Sequence, residues 1–99
     1  YEALTNLGNA QEELGLLDLR IYPNPSLGVF HVSFTLRDGG DVRIRIHSMT
    51  GEEIARSSHQ RVTGLVIVPF DLTAMPAGVY MVEIQTPQGV TVQRIVMGR

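Results

Sequence analysis

Val42-Arg43-Ile44-Arg45-Ile46-His47 alternates an aliphatic side chain with a cationic or imidazole one at every step. Successive side chains of an extended chain point to opposite faces, so Val42, Ile44 and Ile46 share one surface while Arg43, Arg45 and His47 share the other. That is the pattern of a strand dry on one side. Towards the N-terminus, Asp38-Gly39-Gly40-Asp41 reads as a hairpin turn. Before it, residues 29–36 alternate again, with Phe30, Val32, Phe34 and Leu36 on one face and His31, Ser33 and Thr35 on the other. Residues 19–22 form a short first strand, stopped by Pro23-Asn24-Pro25, which withholds two backbone donors and fixes φ twice.

Towards the C-terminus, Ser48-Met49-Thr50-Gly51 turns into a more polar strand at 52–58 around Ile54, followed by a polar connection at 59–64. Residues 65–71 are apolar at nearly every position, as in a strand covered on both faces or crossing between sheets. A corner at 72–77 contains Pro76. Residues 78–86 alternate once more, Tyr80, Val82 and Ile84 inward and Met81, Glu83 and Gln85 outward, and Pro87-Gln88-Gly89 turns into a last strand at 90–97. Seven short strands with turn signals at roughly 8–12-residue spacing predict an all-β fold, an immunoglobulin-like antiparallel β-sandwich with Greek-key connections. No long helical stretch intervenes to give parallel crossovers.

The chain has 99 residues, the size of one small domain. A chain of this size buries roughly 60–70% of the surface it exposes unfolded, which leaves no interior to spare for an enclosed active site. Eight basic against ten acidic residues give a formal charge of −2, so there is no basic excess to hold nucleic acid or an anionic membrane. Cysteine is absent, which removes disulfide and thiolate chemistry. No apolar run approaches the roughly 20 residues that span a bilayer as a helix, so direct membrane insertion is not expected. Tyr1-Glu2-Ala3-Leu4 lacks the basic and apolar regions of a signal peptide. The chain is therefore expected to be the C-terminal piece of a larger precursor. Residues 1–18 read as a leader or linker from an upstream cargo domain, with Asn9 and Glu12 suited to cap one short helical turn; residues 19–99 read as the sandwich.

Three landmarks carry a family resemblance. The first is Leu19-Arg20-Ile21-Tyr22-Pro23-Asn24-Pro25-Ser26-Leu27-Gly28-Val29-Phe30, the second the loop glycine Gly51. The third is Asp71-Leu72-Thr73-Ala74-Met75-Pro76-Ala77-Gly78-Val79-Tyr80, followed by a strand, a glycine turn and Arg94-Ile95-Val96-Met97. Together they resemble the C-terminal sorting domain of type IX secretion cargo proteins of Bacteroidota. The resemblance implies a non-catalytic address without a cofactor, recognised by the type IX translocon. It also implies cleavage by a sortase-like surface protease just upstream of the domain. The cargo would pass through the periplasm to the outer-membrane surface or beyond. The chain departs from the commonest form of the family at Ser48, Glu52 and Arg94, where Asp or Asn, Lys and Lys are frequent. Pro23, Asn24, Pro25, Gly28, Gly51, Pro76, Gly78, Tyr80, Arg94 and Arg99 are the expected recognition or structural positions. Tyr80 is expected to pack its ring inward while its hydroxyl finds a backbone partner.

Other functions have less behind them. His31 and His47 lie on outward faces and could come near each other, but zinc needs three or four convergent ligands and no His-x-His or His-x3-His pair exists. No nucleophile elbow, paired catalytic carboxylates or phosphate-cradling glycine loop is present. A surface adhesion or carbohydrate-binding module is the rival reading, with Tyr22 its one exposed aromatic platform. The Arg43, Arg45, His47 stripe is expected to be a solvated face paired with acids such as Glu83. The terminal strand is expected at a sheet edge, where a receptor could add a strand, and exposed edges also leave a homodimer open.

Overall fold

The computed structural model of the chain describes residues 15–98. Five strands carry them: β1 Leu16–Tyr22, β2 Val29–Ser48, β3 Glu53–Asp71, β4 Gly78–Thr86 and β5 Gly89–Met97. Their pairings are antiparallel, in the order β1-β2-β4-β5, with β3 along the other side of β2. The chain is all-β, and no helix occurs among the described residues.

Five strands stand where seven were expected, because two of them run through positions that read as turns. β2 continues through Asp38-Gly39-Gly40-Asp41 with β3 beside it, Gly40 lying opposite Val62. Gly39 and Gly40 take positive φ, 70° and 125°, and the register slips on either side of Gly40. Glycine, free of a Cβ, lets a strand bend as readily as it lets a chain reverse. Here it bends two paired strands together. Residues 59–64, expected as a connection, belong to β3 for the same reason, with Arg61 and Gly64 at φ 55° and 74° taking up its share of the bend. The strand expected from Leu19 begins at Leu16, whose buried side chain sits opposite Leu36. Residues 1–14, with the helical turn expected at Asn9–Glu12, lie outside the described residues, as does Arg99.

The first half of β2 is thus flanked by β1 and the second half of β3; its second half is flanked by β4 and the first half of β3. The sheet curls about the bend and buries one face. Phe30, Val32, Phe34 and Leu36 meet Val42, Ile44 and Ile46 in a single core with Val68, Phe70, Tyr80, Val82, Ile84, Ile95 and Met97. These include the inward sets read from the alternation. The Phe30 and Phe70 rings stack with centroids 5.5 Å apart. Burying each such side chain contributes about 1.5–3 kcal/mol, enough to fix the register, since a one-residue slip would turn every one of them to water.

The outer face is paired where the charge pattern predicts. Arg45 lies opposite Glu83, and its Nε and one Nη donate to Glu83 Oε2. His47 Nε2 is 3.4 Å from Glu83 Oε1, and Arg56 Nε donates to Glu53 Oε2 at 2.7 Å. Hydrogen bonding to Glu83 raises the Arg45 guanidinium further above its ordinary value. β3 passes from one half of the curl to the other at residues 59–64, whereas residues 65–71, expected to be covered on both faces or to cross between sheets, lie along the first half of β2 alone. Covering does not follow: Leu65 and Ile67 face outwards, 66% and 52% exposed.

Candidate functional site

After β1, Tyr22-Pro23 and Asn24-Pro25, both with cis peptide bonds, lead the chain away from β2 and across to the far edge of the sheet. Ser26 N–H donates to Val96 O at 2.8 Å, and Gly98 N–H donates to Ser26 O at 2.8 Å, making a parallel bridge between Ser26 and Met97. The Asn24 side chain extends that contact. Its Nδ2 donates to Arg94 O at 3.3 Å and its Oδ1 accepts from Val96 N–H at 3.0 Å. A primary amide offers one acceptor and donors in one plane, as a peptide unit does. Asn24 and Ser26 therefore occupy the outer edge of β5, from Arg94 to Gly98, as a neighbouring strand would.

A second joint ties the same loop to the corner between β3 and β4. Ser26, fully buried, donates from Oγ to Val29 O at 2.8 Å and accepts from Gly28 N–H at 3.0 Å. Gly28 O accepts from Leu72 N–H at 2.8 Å. At φ 140°, a Cβ on Gly28 would stand 2.4 Å from Thr73 Cγ2 and 3.0 Å from Thr73 Cα. The position requires glycine for close approach. Within the corner, Asp71 Oδ1 accepts from Thr73 N–H (3.0 Å) and from its hydroxyl (2.7 Å), which holds the Asp71 carboxyl below the usual carboxylate range. The Tyr80 ring is buried and its hydroxyl donates to Pro76 O at 2.6 Å, as its place in the corner predicts.

Register brings the landmarks to one end. Val29 lies opposite Asp71, Ser48 opposite Tyr80, and Gly78 opposite Met97, which bridges to Ser26. The Gly51 turn, closed by Gly51 N–H to Ser48 O at 3.0 Å, joins the same pole. Pro23, Asn24, Pro25, Gly28, Gly51, Pro76, Gly78 and Tyr80 thus collect there. Arg94 takes part through its carbonyl, while its side chain is exposed on the outer face, opposite Met81. Gly15 and Leu16 lie at the other pole, in line with Leu36, Gly64 and the Thr86–Gly89 hairpin. The edge expected to be open along the terminal strand is therefore occupied over its last residues. Sequence reasoning did not single out Ser26 or Thr73, and it gave Asn24 no partner; no local pattern reports contacts made 70 and 72 residues away.

The histidines do not gather. His31 stacks on Tyr22 at 5.4 Å, His47 faces Glu83, and His59 is 2.6 Å from the Ser57 hydroxyl. Among the described residues, no three His, Asp or Glu groups converge on a point that could hold a metal. What the pole offers is a rigid relief of backbone and proline surface.

The family model described as the secretion system C-terminal sorting domain matches residues 20–98. The chain belongs to that family. It is a C-terminal sorting signal of type IX secretion, attached to a cargo that is secreted. The match supports this reading and not the adhesion or carbohydrate-binding one. Comparison with curated proteins gives no match to the chain. In this sorting domain eight of the motif residues, scattered along the sequence, are assembled at the pole opposite Gly15 and Leu16.

Proposed function

We propose that the type IX translocation machinery grips this sorting domain at the clasped pole, where the Tyr-Pro-Asn-Pro loop and the end of β5 are held together. The observation that carries the reading is the pair of joints made by Asn24 and Ser26 to Arg94, Val96 and Gly98. A receptor meeting this end finds both motifs in one fixed relief. The eight motif positions gathered there, with the Arg94 carbonyl, act as shape and as backbone. We read the two halves of the curl as the two layers of an immunoglobulin-like sandwich, β2 and β3 each serving both. After passage through the periplasm and outer membrane, a sortase-like surface protease cuts within residues 1–18. Because proteolysis needs an extended segment free of ladder pairing, and Leu16 and Leu17 are paired with Leu36 and Thr35, it cuts ahead of β1. The edges of the sheet also give the released domain a route to a homodimer.

The test fuses the full 99-residue chain to a periplasmic reporter in a type IX-competent bacterium and in the same strain lacking the translocon. Surface display in the first strain only, with a new N-terminus on the released domain inside residues 1–18, is the expected result. A reporter left in the periplasm of both strains, or a cut within β2–β5, contradicts the reading.

A further inference from the structure

The sheet has three edge strands, and two of them carry features that discourage a new partner. β1 has a register break between Leu17 and Arg20, with Asp18 at φ 57° and the exposed pair Asp18–Arg20. Bulges and charges of this kind keep an edge from accepting a strand. β5 is clasped from Arg94 to Gly98 by Asn24 and Ser26. β3 pairs with β2 alone, and its two halves differ. The first half carries the Glu53–Arg56 ion pair and ends at Arg61 with positive φ. The second half carries no charge from Val62 to Phe70.

Within that second half, Gly64-Leu65-Val66-Ile67-Val68 is a run of aliphatic strand formers. Val68 faces the core, while Leu65 and Ile67 face outwards at 66% and 52% exposure. Such a segment reads in the sequence as a strand covered on both faces or crossing between sheets, and the described residues cover one face. Pro69, which lacks an N–H, ends the usable ladder on one side, and the backbone turn at Gly64 (φ 74°) ends it on the other.

We propose that Gly64–Val68 is the contact by which two copies of this chain pair, β3 to β3, antiparallel about a two-fold axis near Val66. An isologous contact needs a self-complementary patch. An uncharged edge is one, since identical copies meet with no like-charge conflict. The axis sets each Leu65 across from an Ile67, covers both on one face of a joined sheet, and supplies ladder partners on the side of β3 that no strand among the described residues pairs. Five residues from each copy fall short of the roughly 1,200–2,000 Å² buried by stable complexes. The dimer is therefore transient, with a Kd on the order of 0.1–1 mM. This inference assigns one edge to the homodimer of the preceding section and rests on that reading for nothing else.

Sedimentation of the full chain from about 10 µM to 1 mM tests it across the expected Kd. The weight-average mass should climb from the 10.9 kDa monomer towards twice that value. Ile67→Lys and Leu65→Lys, both at exposed positions, should each raise the Kd at least ~10-fold, about 1.4 kcal/mol, with unchanged thermal melting. Val92→Lys, on the unclasped part of β5, should leave association as it was. A chain monomeric throughout, or one whose association is abolished by Val92→Lys and untouched by Ile67→Lys, overturns the proposal. Delivery of the fused reporter is read separately, so a monomeric chain leaves the sorting function standing.

Discussion

Gly28 and Gly51 both belong to the motif and both have positive φ, yet their surroundings separate them. A side chain at Gly51 (φ 91°) would meet nothing within 4 Å, whereas one at Gly28 would strike Thr73 at 2.4 Å. Gly51→Ala is expected to cost about 1–2 kcal/mol, the penalty of a left-handed conformation in an L-residue. Gly28→Ala adds an overpacking cost of about 1–3 kcal/mol to the same penalty. Urea unfolding of the two variants checks the order; equal losses would mean that Gly28 is not held against the corner. Glycine at both sites was legible in the sequence, but the neighbour that demands it at Gly28 was not. Thr73 reaches it only after β3 has closed against β2, a contact that no local pattern reports.

At the level of strands, alternation identified the buried faces of β2 and β4 residue by residue, because the pleat ties side-chain direction to parity. Parity says nothing about where a strand stops. Asp38-Gly39-Gly40-Asp41 carries the signal of a hairpin and serves as a bend, and what decides is the presence of Val62 opposite Gly40, a partner 22 positions on. The outer face supplies a pH prediction. Hydrogen bonding from Arg56 holds Glu53 below the usual carboxylate range, and Thr73 does the same for Asp71. A carboxylate with a lowered folded-state pKa contributes stability above its unfolded pKa and loses it as pH falls through the folded one. Stability of the chain should therefore decline as the pH drops into and below the ordinary carboxylate range. The double variant Glu53→Gln/Asp71→Asn should start lower at neutral pH and decline less steeply. Parallel pH profiles for the two proteins would rule out that assignment.

Seen whole, the molecule has two unlike ends. The upstream residues join β1 beside Leu36 and the Thr86–Gly89 hairpin; the motif residues and the end of β5 occupy the other pole. A receptor at the motif pole, as proposed, would lie at the end opposite Leu16. The arrangement depends on the clasp, and Asn24 is the side chain through which the clasp can be loosened without touching the core, since two bonds to an exposed edge contribute only about 0.5–1.5 kcal/mol each. A reporter fused to the full chain carrying Asn24→Ala, assayed for surface delivery in a type IX-competent cell, puts this most directly to the test. With the purified variant shown to be folded, delivery should fall several-fold below that of the unsubstituted chain. Undiminished delivery by a folded Asn24→Ala chain would mean that the loop and the terminal strand are not read together.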